Sequence, residues 1–219
     1  MARSIYESTS DLPKSFPIFP LAGVLLFPSG LLPLNIFEPR YLNMLDDAMA
    51  GDAMIGMVQS LETGPRAHPD IAQVGCLGRI SSYSETEDGR YLIALEGICR
   101  FRITQELPFE RPYREAEADW SPFTQDLSAP DMEQVPGREQ LLSSLQTYLE
   151  RNRLQADWRA AENAPLEQLI NSLCAACPFT VMEKQALLEA PDLRSRAESL
   201  ITLFHMDRDG HGGKPTWLQ

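Results

Sequence analysis

Lysine, histidine and cysteine are scarce in this chain of 219 residues. Three lysines (Lys14, Lys184, Lys214), three histidines and four cysteines are present. Lysine and arginine together number 19 against 31 acidic residues, a net charge of −12. The arginines are scattered and form no basic run. Such a surface repels phosphate backbones and anionic lipid, so neither nucleic acid nor a membrane is an expected partner. No apolar run approaches the roughly 20 residues that span a bilayer. The opening "MARSIYESTSDLPKS" lacks the apolar core of a secretory signal. Four cysteines in so long a chain make no disulfide framework. These features point to a cytoplasmic, reduced protein. Phosphate-cradling and nucleophile-elbow motifs are also missing: Gly213-Lys214 is followed by Pro215, and no strand precedes it.

Apolar residues and prolines dominate the first third. "FPIFPLAGVLLFPSGLLPLNIFE" (Phe16–Glu38) carries Pro17, Pro20, Pro28 and Pro33. That density forbids a helix and central strand positions, and predicts short edge strands with a turn at Pro28-Ser29-Gly30. Pro39 suits a first helical turn. Tyr41, Met44, Leu45, Ala48 and Met49 then follow at helical spacing, with Gly51 as the stop. "DAMIGMVQ" (Asp52–Gln59) predicts a strand. Ala72, Val74, Cys76 and Ile80 alternate, as do Tyr91, Ile93, Leu95, Cys99, Phe101 and Ile103. The opposite face of the second stretch holds Glu96, Arg100 and Arg102. With Asp88-Gly89 between them, the two stretches predict a long antiparallel hairpin. "YREAEADW" (Tyr113–Trp120) predicts a further strand, at an edge.

After Ser121 the period changes. Residues 121–137 are polar and proline-bearing, the composition of a linker. Leu141, Leu142, Leu145, Tyr148 and Leu149 begin a helical series. Leu166, Leu169, Ile170, Leu173 and Cys177 continue it, entered through Asn163 as cap and Pro165. Thr180 and Glu183 make a capping box for a third helix. Leu193, Ala197, Leu200, Ile201 and Phe204 line a fourth. Strands first and helices last predict an α+β chain: a β-rich part at 15–120, a linker at 121–137, a helical part at 138–205, and flexible tails at 1–14 and 206–219.

Chemistry is sparse. Cys174 and Cys177 close a helix rather than open one and extend its apolar face, so they read as core and not as a redox or zinc pair. Glu38 and Arg40 flank Pro39. Without a second carboxylate or a histidine near by, they read as a helix-start acid and its ion-pair partner. No catalytic residue, cofactor or metal is expected.

The pieces together resemble a known family. Phe19-Pro20-Leu21, Leu26-Phe27-Pro28, Leu32-Pro33-Leu34 and Phe37-Glu38-Pro39-Arg40-Tyr41 are similar to the opening of the Lon substrate-binding domain, the N-terminal domain of the ATP-dependent Lon protease. "VGCLGRI" (Val74–Ile80), "DGRYLIALEGICRFRI" (Asp88–Ile103) and "LLEAPDLRSRAESLITLF" (Leu187–Phe204) resemble its later segments in order. The likeness covers roughly residues 15–205. Asn35 departs from it, standing where many relatives carry a histidine. The chain shows no Walker motif and no Ser–Lys dyad signature, and so resembles stand-alone bacterial forms of the domain.

The resemblance implies a PUA-like pseudo-barrel of about six mostly antiparallel strands, one helix after the Glu-Pro-Arg-Tyr corner, and a helical bundle. It also implies non-catalytic binding of polypeptide. The partner would be an unfolded segment or a protein, including a protease system, with the chain a monomer or homodimer. Exposed members of the set Phe16, Ile18, Phe19, Leu25, Leu26, Phe27, Leu31 and Phe37 would make the contact. Glu38, Pro39, Arg40 and Tyr41 would hold the strand-to-helix corner. The alternatives are an enzyme or small-ligand binder using a barrel–bundle cleft, and RNA binding, against which the charge argues.

Overall fold

The computed structural model describes residues 6–206, apart from 62, 66, 67 and 109. Most of the expected tail segments, 1–5 and 207–219, lies outside that range. Six strands form one mixed sheet: β1 (Ser15–Pro20), β2 (Leu31–Ile36), β3 (Met54–Val58), β4 (Val74–Glu85), β5 (Tyr91–Glu106) and β6 (Arg114–Asp119). Their order is β2-β5-β4-β3-β1-β6, and β6 returns to pair with β5. That return closes five strands into a pseudo-barrel and leaves β2 outside the ring. The β1–β3 pair is parallel and the other pairs are antiparallel.

β5 is long enough to serve two neighbours along one edge. Its Tyr91–Glu96 half pairs with β2 and its Arg102–Glu106 half with β6. Between these halves the Phe27–Gly30 turn meets Gly97. The Ser29 N–H donates to the Gly97 carbonyl at 2.8 Å, and the Gly97 N–H donates to the Gly30 carbonyl at 2.9 Å. A Cβ at position 97 would stand 2.0 Å from the Phe27 carbonyl oxygen, so only glycine allows this approach. The β4–β5 hairpin turns at Asp88-Gly89, with Gly89 at φ 75°.

Helix α1 (Pro39–Ala50) follows β2 with Pro39 in its first turn, and buries Tyr41, Met44, Leu45 and Ala48. Met49 stays exposed. The helical part comprises α2 (Arg138–Asn152), α3 (Trp158–Asn163), α4 (Leu166–Ala176), α5 (Val181–Glu189) and α6 (Leu193–His205). The Thr180–Glu183 capping box is present: the Thr180 hydroxyl accepts from the Glu183 N–H, and the Glu183 carboxylate accepts from the Thr180 N–H.

Several expectations are corrected. β1 and β6 are not edge strands, since each pairs on both sides. The ladder from β1 to β3 begins at Ile18, just past Pro17, and Pro20 ends the strand, so neither proline interrupts it. The stretch taken as a linker begins with a 3₁₀ helix, Ser121–Leu127, that buries Phe123 and Asp126. Residues 6–14 are not a loose leader, because Tyr6 and Leu12 enter the core. Asn163 ends α3 instead of capping α4, and Pro165 stands at the α4 N-cap.

The core has two parts. One joins Phe16, Phe101 and Trp120 of the barrel to Tyr148, Phe179 and Phe204 of the helices. The other lies under α1 and holds Phe19, Tyr41, Met44, Ile55 and Leu95. β3 is buried throughout because Met54 and Val58 face the first cluster and Ile55 and Met57 the second. Cys174 and Cys177 are buried among the helices and form no disulfide with each other, and burial pushes the Cys174 thiol up to about 12.

Buried polar ties also cross from barrel to helices. Arg100 is 1% exposed. Its Nε and Nη2 each reach Asp126 at 2.8 Å, and Nη1 donates to the Leu188 carbonyl at 2.9 Å. Gln59 donates to the Val181 carbonyl and the Gln185 side chain. Lys184 donates to the carbonyls of Gly23 and Ala175, both at 2.7 Å, and burial lowers its pKa.

Candidate functional site

The open edge of β2 is the feature that distinguishes the N-terminal region. β5 occupies one edge of β2, and no strand occupies the other among the described residues. The direction of its backbone groups follows from the register. The pair Leu31↔Glu96 is bridged by the Gly97 N–H to the Gly30 carbonyl, which makes it a non-hydrogen-bonded pair. Alternation then aims the peptide groups of Leu32, Leu34 and Ile36 at β5, and those of Leu31, Pro33 and Asn35 outward. Pro33 fits this parity because it has no N–H to give β5. At one end of the strand Leu31 is 68% exposed, and just past the other end Phe37 is 61% exposed.

A cleft of about 570 Å³ borders the same strand. Pro33–Phe37 and the corner residues Glu38, Arg40 and Tyr41 line one side. Phe19–Leu21, His68, Pro69 and Pro112–Arg114 line the other. Its floor is aromatic: the Phe19 and Tyr41 rings are 4.3 Å apart, and the Arg40 guanidinium lies 4.5 Å from the centre of the Tyr41 ring. Glu38 pairs with Arg40 at 2.8 Å and makes no side-chain cap to the helix. Arg114 is held by Glu106 and by the Pro69 carbonyl.

Tyr113 braces the far wall. Its hydroxyl donates to Asp47 Oδ2 at 2.6 Å, and Arg111 donates to the same oxygen. Burial first, and then the bond to Asp47, push the Tyr113 phenol up to about 12. That bond, ahead of the Arg111 charge, holds the Asp47 carboxyl below its ordinary value.

The eight apolar residues proposed from the sequence divide sharply. Phe16, Ile18, Phe19, Leu25, Leu26 and Phe27 are buried and serve the core, so as contact residues they are corrected. Leu31 and Phe37 are left on the surface. The corner does two things at once: Pro39 starts α1 and Tyr41 packs against Phe19, while Glu38 and Arg40 also line the cleft. Asn35 is exposed there and brings no ionisable group. His68, Pro69 and Pro112–Arg114 went unforeseen, because nothing in their local sequence ties these segments to β2.

Two further clefts lie where the barrel meets the helices. One of about 280 Å³ runs between Leu25–Leu31 and α4. The other, about 500 Å³, holds Arg100, Asp126 and Arg196. Arg196 is drawn down to about 10 by burial and then by the Arg100 charge. Among the described residues no group of three or more His, Cys, Asp or Glu is placed to hold a metal. No described helix is long and apolar enough to cross a membrane.

Comparison with known proteins gives a consistent answer. The chain is 28% identical over 208 residues to Lon protease 2 of Myxococcus xanthus, covering 91% of this chain and 24% of that protein. It is 29% identical over 205 residues to Lon protease of Flavobacterium johnsoniae, covering 91% and 25%. It therefore spans about a quarter of the length of these relatives. The Lon N-terminal domain protein from Xanthomonas campestris shares its fold, with TM-score 0.59 at 24% identity over 87% of this chain and 98% of that one. The N-terminal domain of Mycobacterium avium complex Lon protease does so with TM-score 0.57 at 17% identity, over 88% and 100%. The model of the ATP-dependent protease La (LON) substrate-binding domain matches residues 15–205 and includes neither the ATPase nor the protease part. The chain belongs to that substrate-binding domain family.

Proposed function

We propose that this protein is a non-catalytic polypeptide-binding module that holds an extended segment along the open edge of β2. The observation that carries the reading is the outward-facing backbone at Leu31, Pro33 and Asn35, with exposed apolar side chains at both ends. Main-chain bonds to such an edge give affinity without demanding a sequence, and flanking apolar contacts add to it. Six strand residues offer about 20 Å of edge. Pro33 removes one donor from the middle, which limits pairing between copies of the protein. The segment belongs to an unfolded chain or a protein partner, including a component of a protease system. In the neighbouring cleft Glu38 pairs with Arg40 and Arg114 with Glu106, and His68 stands in the same lining.

The test is equilibrium binding to a fluorescent, permanently unfolded polypeptide, with its folded form and an RNA oligomer as controls at two salt concentrations. Binding is expected to be selective for the unfolded chain and weakly salt-dependent. Leu31→Asp and Phe37→Asp, both at exposed sites, are expected to weaken it about tenfold each, near 1.4 kcal/mol. Unchanged affinity in both variants, or equal binding of the folded control, contradicts the reading.

A further inference from the structure

A second surface lies between α2 and α3. A groove of about 720 Å³ runs along one face of α2, where Glu139, Leu142, Ser143, Gln146, Leu149 and Glu150 follow at three- and four-residue spacing. The returning segment Leu154–Ala156, with Trp158 and Glu162 of α3, forms the other wall. The floor is apolar, and the Trp158 indole is 37% exposed.

The charge of this groove is one-sided. Three carboxylates line it and no cation does. Arg138 and Arg151 of α2 are turned elsewhere. Arg138 donates to the carbonyls of Ala161 and Ala164 at the end of α3, and Arg151 to the carbonyls of Phe204 and Met206 at the end of α6. Both complement helix C-termini, as a cation there should. The lining itself carries three carboxylates, an apolar floor and an exposed indole, a surface that favours a cation, with the exposed Arg153 and Arg159 next to it in the chain but outside the lining.

We infer that the α2–α3 groove is a docking site for a basic, amphipathic segment of a partner protein. Its apolar side chains would cover Leu142, Leu154 and Trp158, and its lysines or arginines would meet Glu139, Glu150 and Glu162. Charge complementarity selects this occupant over a second copy of the chain, whose net charge is −12. The groove shares no residue with the β2 edge, so either assignment can fail alone.

The probe is a labelled peptide about 16 residues long with leucine and lysine at helical spacing, read by fluorescence anisotropy on the full chain. A twin carrying glutamate for lysine is the control. The lysine peptide is expected to bind and its twin not to bind. Glu139→Lys with Glu150→Lys should weaken binding at least about tenfold, and Trp158→Ala should weaken it too. Glu85→Lys with Glu87→Lys adds the same charge at exposed remote positions and should change it less than about twofold. Equal loss in the two double variants would mean attraction to net charge alone, and would overturn the assignment. A tenfold gain on removing residues 207–219 would make that segment the occupant, and self-association abolished by the Glu139/Glu150 change would make it a second copy. Either result overturns the partner assignment.

Discussion

Asp47 shows how single residues shape the cleft wall. It leaves α1 at an exposed position, yet it accepts from both Tyr113 and Arg111. Its carboxyl is held below the ordinary 3.8, with the Tyr113 bond as the leading cause. A carboxyl lowered in the folded state contributes stability above pH 3.8, and that contribution is lost as pH falls through the lowered value. Tyr113→Phe should therefore move the Asp47 titration back up toward 3.8. Carboxyl-carbon NMR titration of both proteins reads this, and an unmoved midpoint contradicts the assignment. Arg100 marks the limit of residue-level reading. Period-two alternation sets it beside Glu96 and Arg102 on a solvated face. An extra residue at Ile98 breaks the alternation, because Leu77 faces Cys99 while Gly78 faces Gly97. From that bulge onward Ile98, Cys99, Arg100 and Phe101 are all buried, and the local signal for it is Gly97, an isolated glycine inside a strand pattern.

Elements were legible where local chemistry settles them. The Asp88-Gly89 hairpin, the Pro39 helix start and the Thr180 capping box each rest on residues within a few positions of one another. Edge status was not legible, because it depends on which distant strands arrive. Prolines in β1 suggested an edge, yet β3 joins it just past Pro17, and β2 with Pro33 is the strand left open. The contact between Gly97 and the Phe27–Gly30 turn fixes where β2 begins. Gly97→Ala would force its Cβ against backbone rather than a yielding side chain. A loss of about 1–3 kcal/mol is expected in chemical denaturation, the usual cost of overpacking. Faster amide exchange at Leu32 and Leu34 should accompany it. A variant as stable as the parent would show that the turn is not held by this approach.

At the scale of the whole molecule, the division into a β part and a helical part describes the sequence better than the packing. One apolar cluster runs from Phe16 and Phe101 to Tyr148 and Phe204, and Arg100 binds Asp126 and the Leu188 carbonyl across the same boundary. Barrel and helices should therefore unfold in a single transition by both fluorescence and circular dichroism. Asp126→Ala leaves Arg100 buried without its carboxylate, and should lower that transition by about 3–5 kcal/mol. Two separated transitions in the parent protein would refute a shared core. The candidate site is also a whole-molecule property. The sequence supplied Leu31, Phe37 and the corner, while the far wall joins the end of β1 to His68, Pro69 and the start of β6, the latter two tens of residues away.

The most direct test of the central claim is residue-resolved amide hydrogen exchange with and without a saturating unfolded polypeptide. If the polypeptide adds along β2, the outward-facing amides of Leu31 and Asn35 gain protection, while Leu32 and Leu34, already bonded to β5, change little. Unchanged exchange at Leu31 and Asn35 under saturation, with new protection elsewhere, would contradict the account.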